Sequence, residues 1–186
     1  MKASRVARIG IAACLSAGIL VGAGVLGTTV TMGESFRRAP DEPPSPLPGP
    51  SAVPAGRTVV AVVVSTEGSV VSDALAPYEV FARSERFFVY TVAARRVPAP
   101  LSGGLHLLPD HDLATAPAPD VVVVPAMVDR DAGVLEWIRQ QAGRGAHVLG
   151  VCAGSEVLAD AGLLDGHRAT SFWANIGRLE GDHPRV

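Results

Sequence analysis

The stretch Gly150-Val151-Cys152-Ala153-Gly154-Ser155 sets a thiol between an apolar run and a segment of helical pattern. A nucleophile at the apex of a strand–turn–helix junction is presented at the end of a sheet, and Cys152 in this setting is the thiol counterpart of that elbow. Small neighbours, Ala153 and Gly154, let such a turn close. The amide groups and positive end of the following helix then point at the sulfur and are expected to lower its pKa, as nucleophilic or redox chemistry of a thiol requires. The second cysteine, Cys14, lies in an uncharged apolar run, so no disulfide framework is implied. Cys152 is either a candidate nucleophile or a small buried hydrophobe.

The elements that must position this turn are legible from residue 57 onward. Residues 58–64 (TVVAVVV) and 121–124 (VVVV) are continuous β-branched runs, the pattern of parallel strands buried on both faces. Residues 87–93 (FFVYTVA) and 147–151 (HVLGV) predict two more strands, and residues 105–108 a short hairpin arm. Pro77 suits a first helical position, which predicts a helix over 77–84 after a loop over 65–76. Val134, Trp137, Ile138 and Gln141 recur at helical spacing, giving an amphipathic helix over 132–144, and residues 155–161 give another. Strands alternating with helices over these lengths predict parallel βαβ units and an α/β three-layer sandwich around a mostly parallel sheet.

Residues 148–173 (VLGVCAGSEVLADAGLLDGHRATSFW) resemble the DJ-1/PfpI superfamily, which has a class I glutamine amidotransferase-like, flavodoxin-like fold. The likeness is strongest to the branch of isocyanide hydratase-like enzymes and of domains fused to AraC-type regulators. It extends to Asp73-Ala74-Leu75-Ala76-Pro77-Tyr78-Glu79-Val80-Phe81, similar to that branch's D-x-x-x-P-x-E-V-F segment, and to the strand end at residues 120–125. It runs in order over about residues 58–183. The resemblance implies that Cys152 is the nucleophile or oxidisable thiol and that Asp73 is the acid that orients or protonates it. It also implies an oxyanion or binding site at the amides of Ala153 and Ala126, beside Gly154. Homodimerisation is a further implication. Asp73 has a plainer reading as a turn residue bonded to its own backbone.

Three departures from the family pattern bear on function. Phe172-Trp173 stands where the branch commonly has histidine before tryptophan, and a phenyl ring neither takes a proton nor holds a thiolate. Pro125-Ala126-Met127 replaces Pro-Gly-Gly, making positive φ costly there. The family pattern continues with a further strand and helix carrying the glutaminase His and Glu, so the chain reads as truncated and not as a glutaminase. These departures favour a small-ligand or redox-sensing module with a degenerate catalytic site. The alternative is a hydratase or hydrolase acting on a small electrophile through Cys152 and Asp73, and an inert fragment is a third reading.

Lys2, Arg5 and Arg8 precede an uncharged stretch over residues 9–32. Twenty-four helical residues span about 36 Å, enough for a hydrocarbon core of about 30 Å. We read residues 1–8 as a basic cytoplasmic end and 9–32 as a single-pass signal anchor in the cell membrane, with a cleaved signal peptide as the alternative. Residues 33–56 are then a Pro-rich tether, and residues 57–186 a domain outside the cytoplasm. Residues 57–186 hold eleven arginines against fifteen Asp and Glu, which argues against a nucleic-acid surface. The only lysine is Lys2, which excludes Schiff-base chemistry from the domain. The five histidines lack metal-ligand spacing, so no metal and no cofactor are expected.

Overall fold

The computed structural model describes residues 52–128 and 130–186, with residues 18, 21–23 and 49 besides. The fold lies within the second of the chain's two compact units, residues 38–186. Five parallel strands make its central sheet in the order β5-β2-β1-β6-β7. These are β1 (Thr58–Val63), β2 (Phe87–Ala93), β5 (His111–Asp112), β6 (Val121–Val124) and β7 (His147–Gly150). Two short strands, β3 (Ala99–Pro100) and β4 (His106–Leu107), pair as an antiparallel arm beside it.

β1 sits at the centre because both of its faces are apolar. Val59, Ala61 and Val63 join a core with Val134, Trp137, Ile138, Val157 and Leu158. Val60, Val62 and Val64 face the other way, into a core with Ala74, Leu101 and Val123. Each buried valine contributes about 1.5–3 kcal/mol through removal from water, so this strand anchors both layers. Helix α1 (Val71–Ala82) lies on one face, and α2 (Ala132–Gly143) and α3 (Gly154–Asp160) on the other. A last helix, α4 (Ile176–Asp182), follows a 3-10 turn at Trp173–Asn175. Asp131 caps α2 by accepting hydrogen bonds from the amides of Gly133 at 2.8 Å and Val134 at 3.1 Å.

The α/β sandwich and its parallel sheet are as expected, with one correction that matters for the site. α1 begins at Val71, six residues before Pro77, so Asp73 rides on a helix and not in a loop. Proline at 77 removes the amide that would bond the Asp73 carbonyl, a loss the helix tolerates once packed. The helix start is fixed from outside: Ser102 accepts the Val71 amide through its hydroxyl oxygen at 2.9 Å. Among the described residues no helix is long and apolar enough to cross a membrane. The anchor expected over residues 9–32 and the tether over 33–56 lie almost wholly outside the described residues.

Candidate active site

In an open parallel sheet, ligands bind beyond the carboxyl ends of the strands, where successive connections leave in opposite directions. Here that place is between β1 and β6: the chain moves from β1 to β2 on one side and from β6 to β7 on the other. Three sequence-named residues lie there, each in the segment that follows a different strand. Asp73 follows β1, Ala126 follows β6, and Cys152 follows β7.

The loop after β1 is tied to its neighbours before α1 begins. Ser65 accepts from the amides of Glu67 and Gly68, and Ser69 from that of Ser65. The Val70 amide donates to the Ala126 carbonyl at 3.0 Å, and that of Val128 to the Gly68 carbonyl at 2.9 Å. Asp73 is thereby brought under the turn after β6, where it is 8% exposed and its Oδ2 accepts from the Ala126 amide at 3.4 Å. Ser72 donates to its other oxygen at 3.2 Å. The alternative role for Asp73, a turn residue bonded to its own backbone, is not what is seen.

Cys152 is exposed, and it is the one non-glycine residue with positive φ, 56°, among the described residues. Left-handed backbone costs a residue bearing Cβ roughly 1–2 kcal/mol, so the turn holds the thiol outward under strain. Gly154 makes the turn possible by size. A Cβ there would sit 2.0 Å from the Val124 carbonyl oxygen, and the Gly154 amide already donates to the Val151 carbonyl at 2.8 Å. Gly154 is therefore a packing residue, not a ligand donor. Ala126 has ordinary negative φ, so alanine in place of glycine costs nothing there.

The electrostatics reverse one expectation. The thiol pKa lies above its ordinary value, not below it. Desolvation of the sulfur is the largest cause, although the residue as a whole is exposed. The Ala153 amide pulls the other way. The Asp73 charge, a hydrogen bond from the thiol to the Asp73 side chain, and the charge of Glu156 add to the rise. α3, which begins at this turn, has seven residues. Among the described residues, no histidine is among the groups acting on the sulfur. His147 is exposed at the head of β7, His167 is exposed in a turn, and His183 pairs with Asp160 at 3.0 Å. Among the described residues, no group of three His, Cys, Asp or Glu is placed to hold a metal ion.

Glu156 was not singled out from the sequence. It is 3% exposed on the first turn of α3, ion-paired to Arg130 at 2.8 Å and to Arg178. Burial works against its charge, but hydrogen bonds from Asn175 and Arg178 and the Arg178 and Arg130 guanidiniums outweigh it and hold its carboxyl below the usual range. A single Glu in a short helix reads as solvent-facing. The only available signal is its spacing, four residues after the cysteine and on the same helical face as Asp160.

A buried acid whose charge reaches a thiol on a strained turn, at the switch point of a parallel sheet, invites comparison with known proteins. The DJ-1/PfpI family model matches residues 58–185. The chain belongs to the DJ-1/PfpI family. An isonitrile hydratase of Pseudomonas putida is 39% identical over 107 residues, 55% of this chain and 47% of that protein. The HTH-type transcriptional regulator GbdR of Pseudomonas aeruginosa is 34% identical over 105 residues, 54% of this chain and 28% of that protein. The crystal structure of a ThiJ/PfpI family protein from Pseudomonas syringae superposes with a TM-score of 0.58 at 28% identity, covering 69% of this chain and 57% of that one. The DJ-1/PfpI-like chain thus spans about half the length, or less, of these two curated relatives. Its neighbours include both small-molecule enzymes and regulators, which supports a cysteine-type small-molecule enzyme or sensor domain.

Proposed function

We propose that the domain carries out cysteine-dependent chemistry on a compact electrophile, with Cys152 as nucleophile and Asp73 as the group that takes its proton. The observation that carries this reading is the buried Asp73 carboxylate, held at the Ala126 amide, whose charge acts on the sulfur of an exposed cysteine on a left-handed turn. A raised thiol pKa means that the resting sulfur is protonated, so attack requires an acceptor within reach, and Asp73 is that acceptor. As the sulfur adds to the electrophilic carbon and its π bond opens, the thiol proton passes to Asp73 and on to the substrate atom that takes up the electron pair. Water then adds at the same carbon, and as the carbon–sulfur bond breaks the sulfur recovers a proton from that water. The Ala153 amide faces the sulfur and is the donor placed to meet charge developing on the substrate. The Ala126 amide is engaged by Asp73 and joins it only if that bond opens.

The similarity to an isonitrile hydratase makes an isonitrile the first probe. Formamide production from an alkyl isonitrile, followed by NMR, is expected with the native chain and is expected to fall at least about a hundredfold in Cys152→Ser and in Asp73→Asn. Turnover unchanged in either variant refutes the assignment.

A ligand-sensing module is the second reading, favoured by Phe172 at the position where the branch commonly has histidine and by the similarity to a transcriptional regulator. It predicts a raised melting temperature with the isonitrile or its formamide and no turnover. Peroxide sensing fits less well, because a protonated thiol oxidises slowly. Anchoring by residues 9–32 and dimerisation belong to this proposal on sequence grounds alone.

A further inference from the structure

The first half of β2 has an open edge. Thr58 and Val64 donate their amides to the carbonyls of Arg86 and Val92 at 2.9 and 2.8 Å, so the even-numbered residues of this segment bond to β1. The odd-numbered residues point the other way, as the Thr91 amide does in donating to Asp110 Oδ2 at 2.8 Å. β5 covers that edge only at Val92 and Ala93. The amide and carbonyl of half-buried Val89 therefore face a place where no strand lies. A backbone donor and acceptor left without partners away from water are costly, so this place calls for an occupant.

A cavity of about 100 Å³ lies there, lined by Val89 together with Tyr78 of α1, Phe88, Tyr90, Asp110 and His111. Asp110 uses one carboxylate oxygen, Oδ2, for both the amide and the hydroxyl of Thr91, at 2.8 and 2.9 Å. Its other oxygen is left over. Burial, and then the Asp110 charge, push the Tyr78 hydroxyl up, so Tyr78 keeps a proton to donate. His111 is 5% exposed, and neither of its ring nitrogens has a hydrogen-bond partner. Its ring packs edge-on to Tyr90, with centroids 5.1 Å apart. A half-turn about Cβ–Cγ exchanges ring carbons with nitrogens, so the imidazole can offer a donor or an acceptor with no change of shape.

We propose that this cavity at the open edge of β2 is a binding site for a small carboxamide, separate from the Cys152 turn. None of its lining residues belongs to the Cys152, Asp73 and Ala126 set. What is missing beside Val89 is the peptide group of a neighbouring strand, and a carboxamide is that group as a free molecule. Its carbonyl accepts from the Val89 amide or the Tyr78 hydroxyl, and its N–H groups donate to the Val89 carbonyl or the second Asp110 oxygen. A carboxylate of the same shape is repelled by Asp110. An ammonium ion answers Asp110 but leaves the Val89 and Tyr78 donors without an acceptor, which costs affinity. A neutral group with both functions serves every polar group in the wall, and Phe88 gives its alkyl end an apolar surface.

The test labels the histidines of the full chain with carbon-13 and follows the Cε1–H resonance of His111 by NMR at fixed pH. Acetamide is expected to move that resonance along a saturating curve, with a dissociation constant on the order of a few millimolar. Acetate and methylammonium are each expected to bind at least about fivefold more weakly. Tyr78→Phe keeps the ring and removes the donor, and it should weaken acetamide by about three- to tenfold. Cys152→Ser should bind acetamide as the native chain does. A shift that only grows linearly with acetamide leaves the cavity to water and overturns the site. Equal binding of acetate or methylammonium overturns the carboxamide class, and an unchanged affinity in Tyr78→Phe overturns the contact assigned to the wall. Loss of binding in Cys152→Ser would put the amide at the elbow and overturn the separation of the two sites.

Discussion

Replacing Gly154 by alanine tests whether the Cys152 turn is built by backbone contact. The added Cβ would stand 2.0 Å from the Val124 carbonyl oxygen, 2.9 Å from its carbon and 3.1 Å from the Pro125 carbonyl carbon. Ordinary carbon–oxygen approach stops at about 3.3 Å, so the two backbones must part by about 1.3 Å. No flexible side chain is available to yield, because every atom in the way is main chain. The Val124 oxygen also accepts the Val151 amide at 2.9 Å, the bond that closes the β6–β7 ladder just before the cysteine. Parting the strands stretches that bond, and a lost hydrogen bond adds about 1 kcal/mol to an overpacking cost of about 1–3 kcal/mol. A loss of about 3 kcal/mol is therefore expected in urea denaturation. Gly177→Ala supplies the control: it lies in α4 with nothing within 4 Å of its Cβ, and it should gain about 0.5–1 kcal/mol from helix propensity. If Gly154→Ala unfolds within about 0.5 kcal/mol of the native chain, the turn is not held as described, and the placement of the thiol loses its basis.

Further outcomes follow from the same geometry. Cys152→Gly should stabilise the domain by about 1 kcal/mol by relieving the left-handed backbone, whereas Cys152→Ala, which keeps its Cβ, should not; equal denaturation midpoints for the two would refute the strain. Because the Glu156 carboxyl titrates below its ordinary value, its ion pairs with Arg130 and Arg178 are whole above pH about 4.3 and are lost as pH falls through the lower folded value. Trp173 emission should therefore change in that acid window in the native chain but not in Glu156→Gln. Residues 9–32 should carry the full chain into the membrane fraction, resistant to alkaline carbonate; release by carbonate would refute the anchor.

The fold was readable where one force dominates. The valine runs at β1 and β6 have no outcome other than burial on both faces, and the Gly-rich elbow after β7 announces its turn by composition. Boundaries failed where two signals competed. Pro77 is a good first helical residue in isolation, yet the helix starts six residues earlier because Ser102, thirty-one residues away from Val71, caps it. No local pattern reports such a partner. The thiol pKa was misjudged for a related reason: the helix end is visible in sequence, whereas desolvation and the approach of Glu156 exist only after folding. Ala126 was expected to be a strained replacement for glycine, and its ordinary φ shows that Gly154 provides the close approach instead.

Two carboxylates from different helices act on one sulfur, and that arrangement can be tested by superposition. Asp73 works through its charge and through a hydrogen bond that holds the proton on sulfur; Glu156 works through charge alone. Both raise the thiol pKa, so Asp73→Asn and Glu156→Gln should each move the pH midpoint of iodoacetamide alkylation at Cys152 downward. Asp73→Asn should move it further, since it removes a charge and leaves a weaker, neutral acceptor. Fields add, so the double variant should shift the midpoint by the sum of the single shifts if the backbone of the turn stays where it is. A double shift well short of that sum would mean that one carboxylate acts by moving the turn. An upward shift in either single variant would mean that the sulfur is not where these two acids can reach it, and the case for Asp73 as proton acceptor would fall with it.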